Sequence, residues 1–473
     1  MKRKAIQSRI GGYTVLLTAA LLGGCRAVGP DYESPTAVVP VGWREQAAVA
    51  QSESAPRDRT ARWWRAFEDP VLDRLISRAL ESGPDRRAAM ARLREARALR
   101  GVAAGERFPA LDAVAAYRES GESRFSPVGA AAEDGALYSA GLDASWEVDL
   151  WGRVQRSVEA ADAELGAAAE EARGVFLAVA AETAVNYVEL RAFQRRLAIA
   201  RTNVALQEQT LQLVQSRFDA GFVGARDLAQ ASTNLAMTRS RVPVLEAGER
   251  AAENRLGVML GVAPGTLSGE LDAAPAIPVP PLTAVAGVPA DVVRDRPDIR
   301  RAERDLAAAH ARGGMARGDL YPRLVLGGSI RIAATDTDDL LRSGSDFFGI
   351  GPSVRWNLFD GARMRRRIEA QDARTEQALI RWERAVLAGL EESESAMTAF
   401  VREQTRRREL LDAATEARRA VDLARIEYRE GQSDFQAVLD SERALAQIED
   451  ELAGSEAAVA TQFVVLHKAL GSG

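Results

Sequence analysis

The sequence predicts a mainly α protein with a small β part: a barrel shared between copies, to which each chain gives four strands of membrane-spanning length, and long coiled-coil helices. Three observations predict it. The chain is built from two internal structural repeats, each half holds one very long stretch without proline, and strand-like text is confined to two hairpins. Two hairpins cannot close a pore alone, so the subunit must find neighbours.

The N-terminus comes first. MKRKAIQSRI is basic, and GGYTVLLTAALLGG is apolar but too short to span a bilayer as a helix. Together they describe a secretory signal over residues 1–24. Leu22-Gly23-Gly24-Cys25 has the form of a bacterial lipobox, and Cys25 is the only cysteine of the 473 residues. A lone thiol in an oxidising compartment has no partner, so acylation explains its position better than a disulfide does. The expected lipid is an N-acyl chain such as palmitate together with S-diacylglycerol, and more than one chain makes an anchor stable. Arg26, not Asp, follows the cysteine, which favours the outer membrane. Cleavage removes Lys2, Arg3, Lys4 and Arg9, so the mature chain is more acidic than the formal charge of −5 of the whole. That balance argues against a nucleic-acid partner.

After an extended segment (25–70), the two repeats cover 71–264 and 291–470, joined by a Pro-rich link over 265–290. Without a gap, Pro84, Asp85, Gly105 and Pro109 align with Pro297, Asp298, Gly318 and Pro322. Further on, Trp146 meets Trp356 and Gly221 meets Gly431. Each half opens with an Ala/Arg/Leu-rich helix (~85–106, ~298–318) that Phe-Pro or Tyr-Pro ends. A β-hairpin follows, over 111–150 and 323–359. From Val154 to Phe218 no proline occurs, about 65 residues or roughly 100 Å of helix. Leu190, Leu197, Val204, Leu211 and Phe218 recur every seven, with Phe193, Ala200, Gln207 and Val214 beside them, which implies left-handed coiling. The second half repeats this with Phe400, Arg407, Ala414, Val421 and Tyr428, placing an arginine in the seam. Gly221 and Gly431 break these helices, and Pro243 should kink the first returning helix.

Strands of about ten residues match a tilted membrane strand. Four such strands leave open edges whose unpaired backbone costs several kcal/mol per group in lipid, and three copies would give twelve. Trp146, Trp151 and Trp356 near the strand ends read in two ways. Indoles prefer the headgroup level, so they fit a membrane interface; they also fit the core of a β-to-α junction.

These landmarks together resemble the outer-membrane efflux protein family, TolC-like, in its OprM/NodT-type lipoprotein branch. The matching text includes CRAVGPDY, RWWRAFEDPVLDRLISRAL, SWEVDLWGRVQRSVEAA, RFDAGFVGARDLAQA, RPDIRRAERDL, VRWNLFDG and YREGQSDFQAVLDSERAL, and it covers nearly all of the mature chain. The resemblance implies a homotrimeric tunnel, a twelve-stranded barrel in the outer membrane continued by an α-barrel through the periplasm. It also implies a periplasmic adaptor, an inner-membrane pump of the RND type, and export of small toxic molecules. The N-terminal segment, the link and the C-terminus would band the helices. At the periplasmic gate, Asp440 matches the aspartate that rings the aperture and Arg443 an arginine one turn on. Asp227 and Tyr428 match residues of the bonds that hold neighbouring hairpins shut. Three carboxylates around a narrow opening repel anions and attract cations. Ser433 stands where the family's type member has a gate arginine, Ala437 where it has a second aspartate, and Gln436 where the OprM type has a leucine constriction.

An enzyme finds little support in this text. His310 and His467 are the only histidines, and no GxSxG, HExxH, CxxC or Walker motif occurs. No metal site or cofactor is expected beyond the covalent lipid. Two rival readings remain: an exit duct for type I protein secretion, and a lipid-anchored periplasmic spacer without a pore. The duplicated strand pairs speak against the spacer, which needs none.

Overall fold

The computed structural model describes residues 27–44, 50–51, 62–121, 135–271, 276–281, 285–286 and 289–471. Cys25, the expected lipid site, lies outside them. Elements run in chain order as β1 (Ala50–Gln51), α1 (Pro70–Ser82), α2 (Pro84–Gly105), β2 (Ala110–Ser120), β3 (Gly135–Val148), α3 (Arg153–Asp219) and α4 (Ala225–Leu260). There follow α5 (Ser268–Leu271), β4 (Val285–Ala286), α6 (Pro289–Asp295), α7 (Pro297–Gly318), β5 (Arg323–Ala334), β6 (Asp346–Arg355), α8 (Arg363–Glu430) and α9 (Phe435–Ala469). The helices α3 and α8 hold 67 and 68 residues.

The chain forms two compact units. Of the described residues, the first comprises 27–35 with those of 94–168 and 302–382, and it contains the four-stranded sheet. The strand order is β2-β3-β5-β6, antiparallel throughout. The first-half hairpin joins the second-half hairpin along β3 and β5, where Trp146 stands opposite Leu326. Both outer strands pair on one side only, and β2 and β6 are exposed along nearly their whole length. The sheet therefore ends in two open edges. Among the described residues no helix is long and apolar enough to cross a membrane.

The second unit holds the largest apolar core, in which residues distant in sequence meet. Asp69 caps α1, accepting from the Val71 and Leu72 amides at 2.8 and 3.1 Å, and Pro70 opens the helix where no amide is needed. Leu72, Leu75, Ile76 and Ala79 are then fully buried. Tyr187 of α3 donates to the same Asp69 at 2.7 Å, which ties α1 to the long helix. The short helical turn Trp63–Phe67 packs against the end of α9: Phe67 meets Phe463 edge-on, and Trp63 stacks on His467 at 5.7 Å. Burial pushes His467 down to about 4, so this imidazole is neutral at ordinary pH.

The seven-residue rows behave differently in the two long helices. In α3 the lead row is buried at Leu190 and Leu197, but Phe218 at its end is exposed, and burial there passes to Gln207 and Val214. The second-half row, less regular in sequence, is buried at Phe400, Ala414, Val421 and Tyr428. Its arginine is accommodated because Arg407 faces Glu456 at 3.9 Å.

Candidate periplasmic gate

The helix turns at the ends of α3 and α8 share one geometry. Gly221 and Gly431 take φ of 77° and 75°, and neither has an atom near where a Cβ would stand, so the left-handed backbone angle, and not crowding, is what favours glycine at both. The returned helices pack through Val214, Ala231, Ala424, Tyr428, Phe435, Val438 and Leu439. Asp434 caps α9 by accepting from the Ala437 amide at 3.1 Å.

On this frame Asp440 is exposed and accepts from Gln436 at 2.8 Å, one turn earlier on the same helix. Arg443 donates to the buried Asn234 of α4 at 3.1 Å, so it braces the two return helices. Tyr428 is buried, and the Arg217 guanidinium lies over its ring at 4.4 Å while donating to its carbonyl. The Tyr428 hydroxyl has no partner among the described residues. Burial raises its pKa, the Asp227 charge adds to that, and Arg217 opposes it. Among the described residues, Asp227 makes no hydrogen bond to the Tyr428 hydroxyl.

A cluster that sequence reading missed lies beside them. Arg425 donates to Glu442 at 2.7 Å, to Thr210 at 2.8 Å and to the Leu206 carbonyl at 3.1 Å. Thr210 in turn donates to Glu442 at 2.7 Å, and the Glu442 side chain is only 2% exposed. One buried ion pair therefore fastens α3, α8 and α9 together. Its only sequence signal was opposite charges on facing helices, which many solvated pairs share.

The three candidate interface tryptophans all spend their indole N–H groups on the strand-to-helix junctions. Trp146 donates to Arg107 and Trp356 to Leu320, both at 3.0 Å, at equivalent places of the repeat. Trp151 donates to Pro322 at 2.8 Å and stacks on Tyr321. Trp356 is nonetheless 56% exposed.

A sequence model described as "Outer membrane efflux protein" matches residues 75–262 and 288–472. The chain belongs to the outer membrane efflux protein family. The pyoverdine export outer membrane protein OpmQ of Pseudomonas aeruginosa is 31% identical over 97% of this chain and 96% of its own length. The toluene efflux pump outer membrane protein TtgF of Pseudomonas putida is 29% identical over 98% and 96%. Among solved structures, the outer-membrane channel OprN superposes with a TM-score of 0.85 at 34% identity, covering 94% of this chain and 99% of that one. The fold is thus that of the TolC-like channels. The protein is an outer-membrane efflux channel of the tripartite kind that extends into the periplasm, and it comes from a family of channels.

Proposed function

We propose that three copies close into one tunnel, anchored by acylated Cys25, that receives small toxic molecules from an RND-type inner-membrane pump through a periplasmic adaptor. The observation that carries the trimer is the four-stranded sheet with two unpaired edges. In lipid such edges are untenable, and β6 of one subunit meeting β2 of the next closes twelve strands with every edge paired. The exposed Trp356, Leu358 and Phe359 at the end of β6 support a membrane interface at that level. The names of OpmQ and TtgF, one for pyoverdine export and one for toluene efflux, support small-molecule cargo. The exposed Asp440 supports a cation-attracting aperture at the helix turns. Light scattering of the detergent-purified protein, with recording in a planar bilayer, tests the reading. Threefold mass and steady conductance are expected. A monomer that passes no ions would overturn it.

A further inference from the structure

Residues 27–35 run across α3 and α7 in the first unit, held by more contacts than an extended segment needs. The Val28 amide donates to the Trp151 carbonyl at 2.9 Å. Arg156 reaches over the strap with one nitrogen, donating to the Gly29 and Pro30 carbonyls at 3.2 Å each and to Asp31 at 2.9 Å. Its other terminal nitrogen holds Glu159 at 2.6 Å, and its side chain is 4% exposed. His310 Nε2 lies 3.0 Å from the Pro30 carbonyl, while Tyr32 and Ser34 both donate to Glu303. Glycines make the room. A Cβ on Gly152 would stand 2.4 Å from that of Ala27, and one on Gly314 would stand 2.9 Å from the Arg156 stem.

The internal repeat supplies a control. In the register that pairs Trp146 with Trp356, Gly152 corresponds to Ala362 and Arg156 to Arg366. Ala362 adopts φ of 67°, close to the 74° of Gly152, so the backbone turn alone does not demand glycine. Arg366 keeps its ion pair with Glu369 at 2.6 Å, yet its side chain is 76% exposed. What distinguishes the first junction is the strap.

We propose that Gly152, Arg156 and Gly314 form a docking site for the chain's own post-cleavage N-terminus, with Arg156 as its positioning residue. The proposal rests on the reading of Cys25 as the lipidated end. Cys25 precedes Ala27 by two residues, a reach of about 7 Å at most. The site thus fixes the chain from Ala27 onward against the α3 junction, so tension on an anchor ahead of Ala27 passes into that junction. The two terminal nitrogens of the guanidinium let Arg156 hold the strap with one and Glu159 with the other, a division that the single nitrogen of an ammonium cannot make.

The test uses the full-length protein in detergent and a Glu-specific protease that cuts after the exposed Glu33. Arg156→Ala should speed cleavage there by about tenfold, since cleavage tracks the open population, and Arg156→Lys should restore part of the protection. Arg366→Ala, at the equivalent place, should leave the rate unchanged. Val28→Pro removes the strap's own donor without touching the helices, and it should act like Arg156→Ala even where that variant assembles poorly. Equal rates in wild type, Arg156→Ala and Val28→Pro would overturn the docking site. Intact mass separates the two readings: a chain without acyl groups that still shows the rate difference keeps the docking site and discards the anchor.

Discussion

At the strand-to-helix junction of the first half, Gly152 admits Ala27 and Arg156 is covered by chain; at the same junction of the second half, Ala362 and Arg366 face outward. In the second unit the contrast reverses. The second helical hairpin carries the half-buried Arg425 and the buried Glu442, where the register of Gly221 with Gly431 puts Gln215 and Ser232 in the first, both exposed. The repeats share their backbone, glycine turns and the tryptophans that donate at the strand-to-helix junctions included, because each half builds these from its own residues. The halves differ where each meets something the other does not: the N-terminal strap in the first unit, and the packed α3, α8 and α9 in the second.

The largest effect should come from breaking the buried pair. Glu442→Ala leaves Arg425 half-buried without its carboxylate and should cost about 3–5 kcal/mol, read as faster hydrogen exchange along 420–445. Ser232→Ala, its counterpart, should stay within about 0.5 kcal/mol. Similar costs at both positions would dissolve the contrast.

A second test uses His467, whose counterpart in the other half is Gly257. The folded imidazole titrates near 4 instead of 6.5. Above pH 6.5 it is neutral folded or unfolded and stability is unaffected. As pH falls from 6.5 to about 4, only the unfolded chain takes the proton, so stability drops, by about 3 kcal/mol at the limit. Thermal unfolding over that range should show this slope in wild type and a flatter one in His467→Phe; identical slopes would remove the histidine from the account.

Smaller again is Gly152→Ala, which crowds Ala27 and should cost about 1–3 kcal/mol. Ala362→Gly should change stability by no more than about 1 kcal/mol. Exchange of the Val28 amide reports the first, and unfolding of the whole protein the second. Asp440→Asn should be smallest in stability, within about 0.5 kcal/mol for an exposed side chain. It should nevertheless lower cation selectivity in single-channel recordings, and unchanged selectivity would strip Asp440 of that role.

Features that depend on neighbours along the chain were legible beforehand. The repeats, the unbroken helices, the Gly221 and Gly431 turns and the two hairpins all follow from spacing, proline placement and glycine freedom. The tertiary structure alone decided that Arg156 closes over residues 29–31, that Arg425 meets the buried Glu442, that Trp63 stacks on His467, and that Arg217 lies over the Tyr428 ring. Each of these joins residues of different elements, even where, as with Arg425 and Glu442, one turn separates them in sequence. An arginine on a helix reads the same whether water, a carbonyl or a carboxylate finally surrounds it, and burial of that kind is a property of the packed chain.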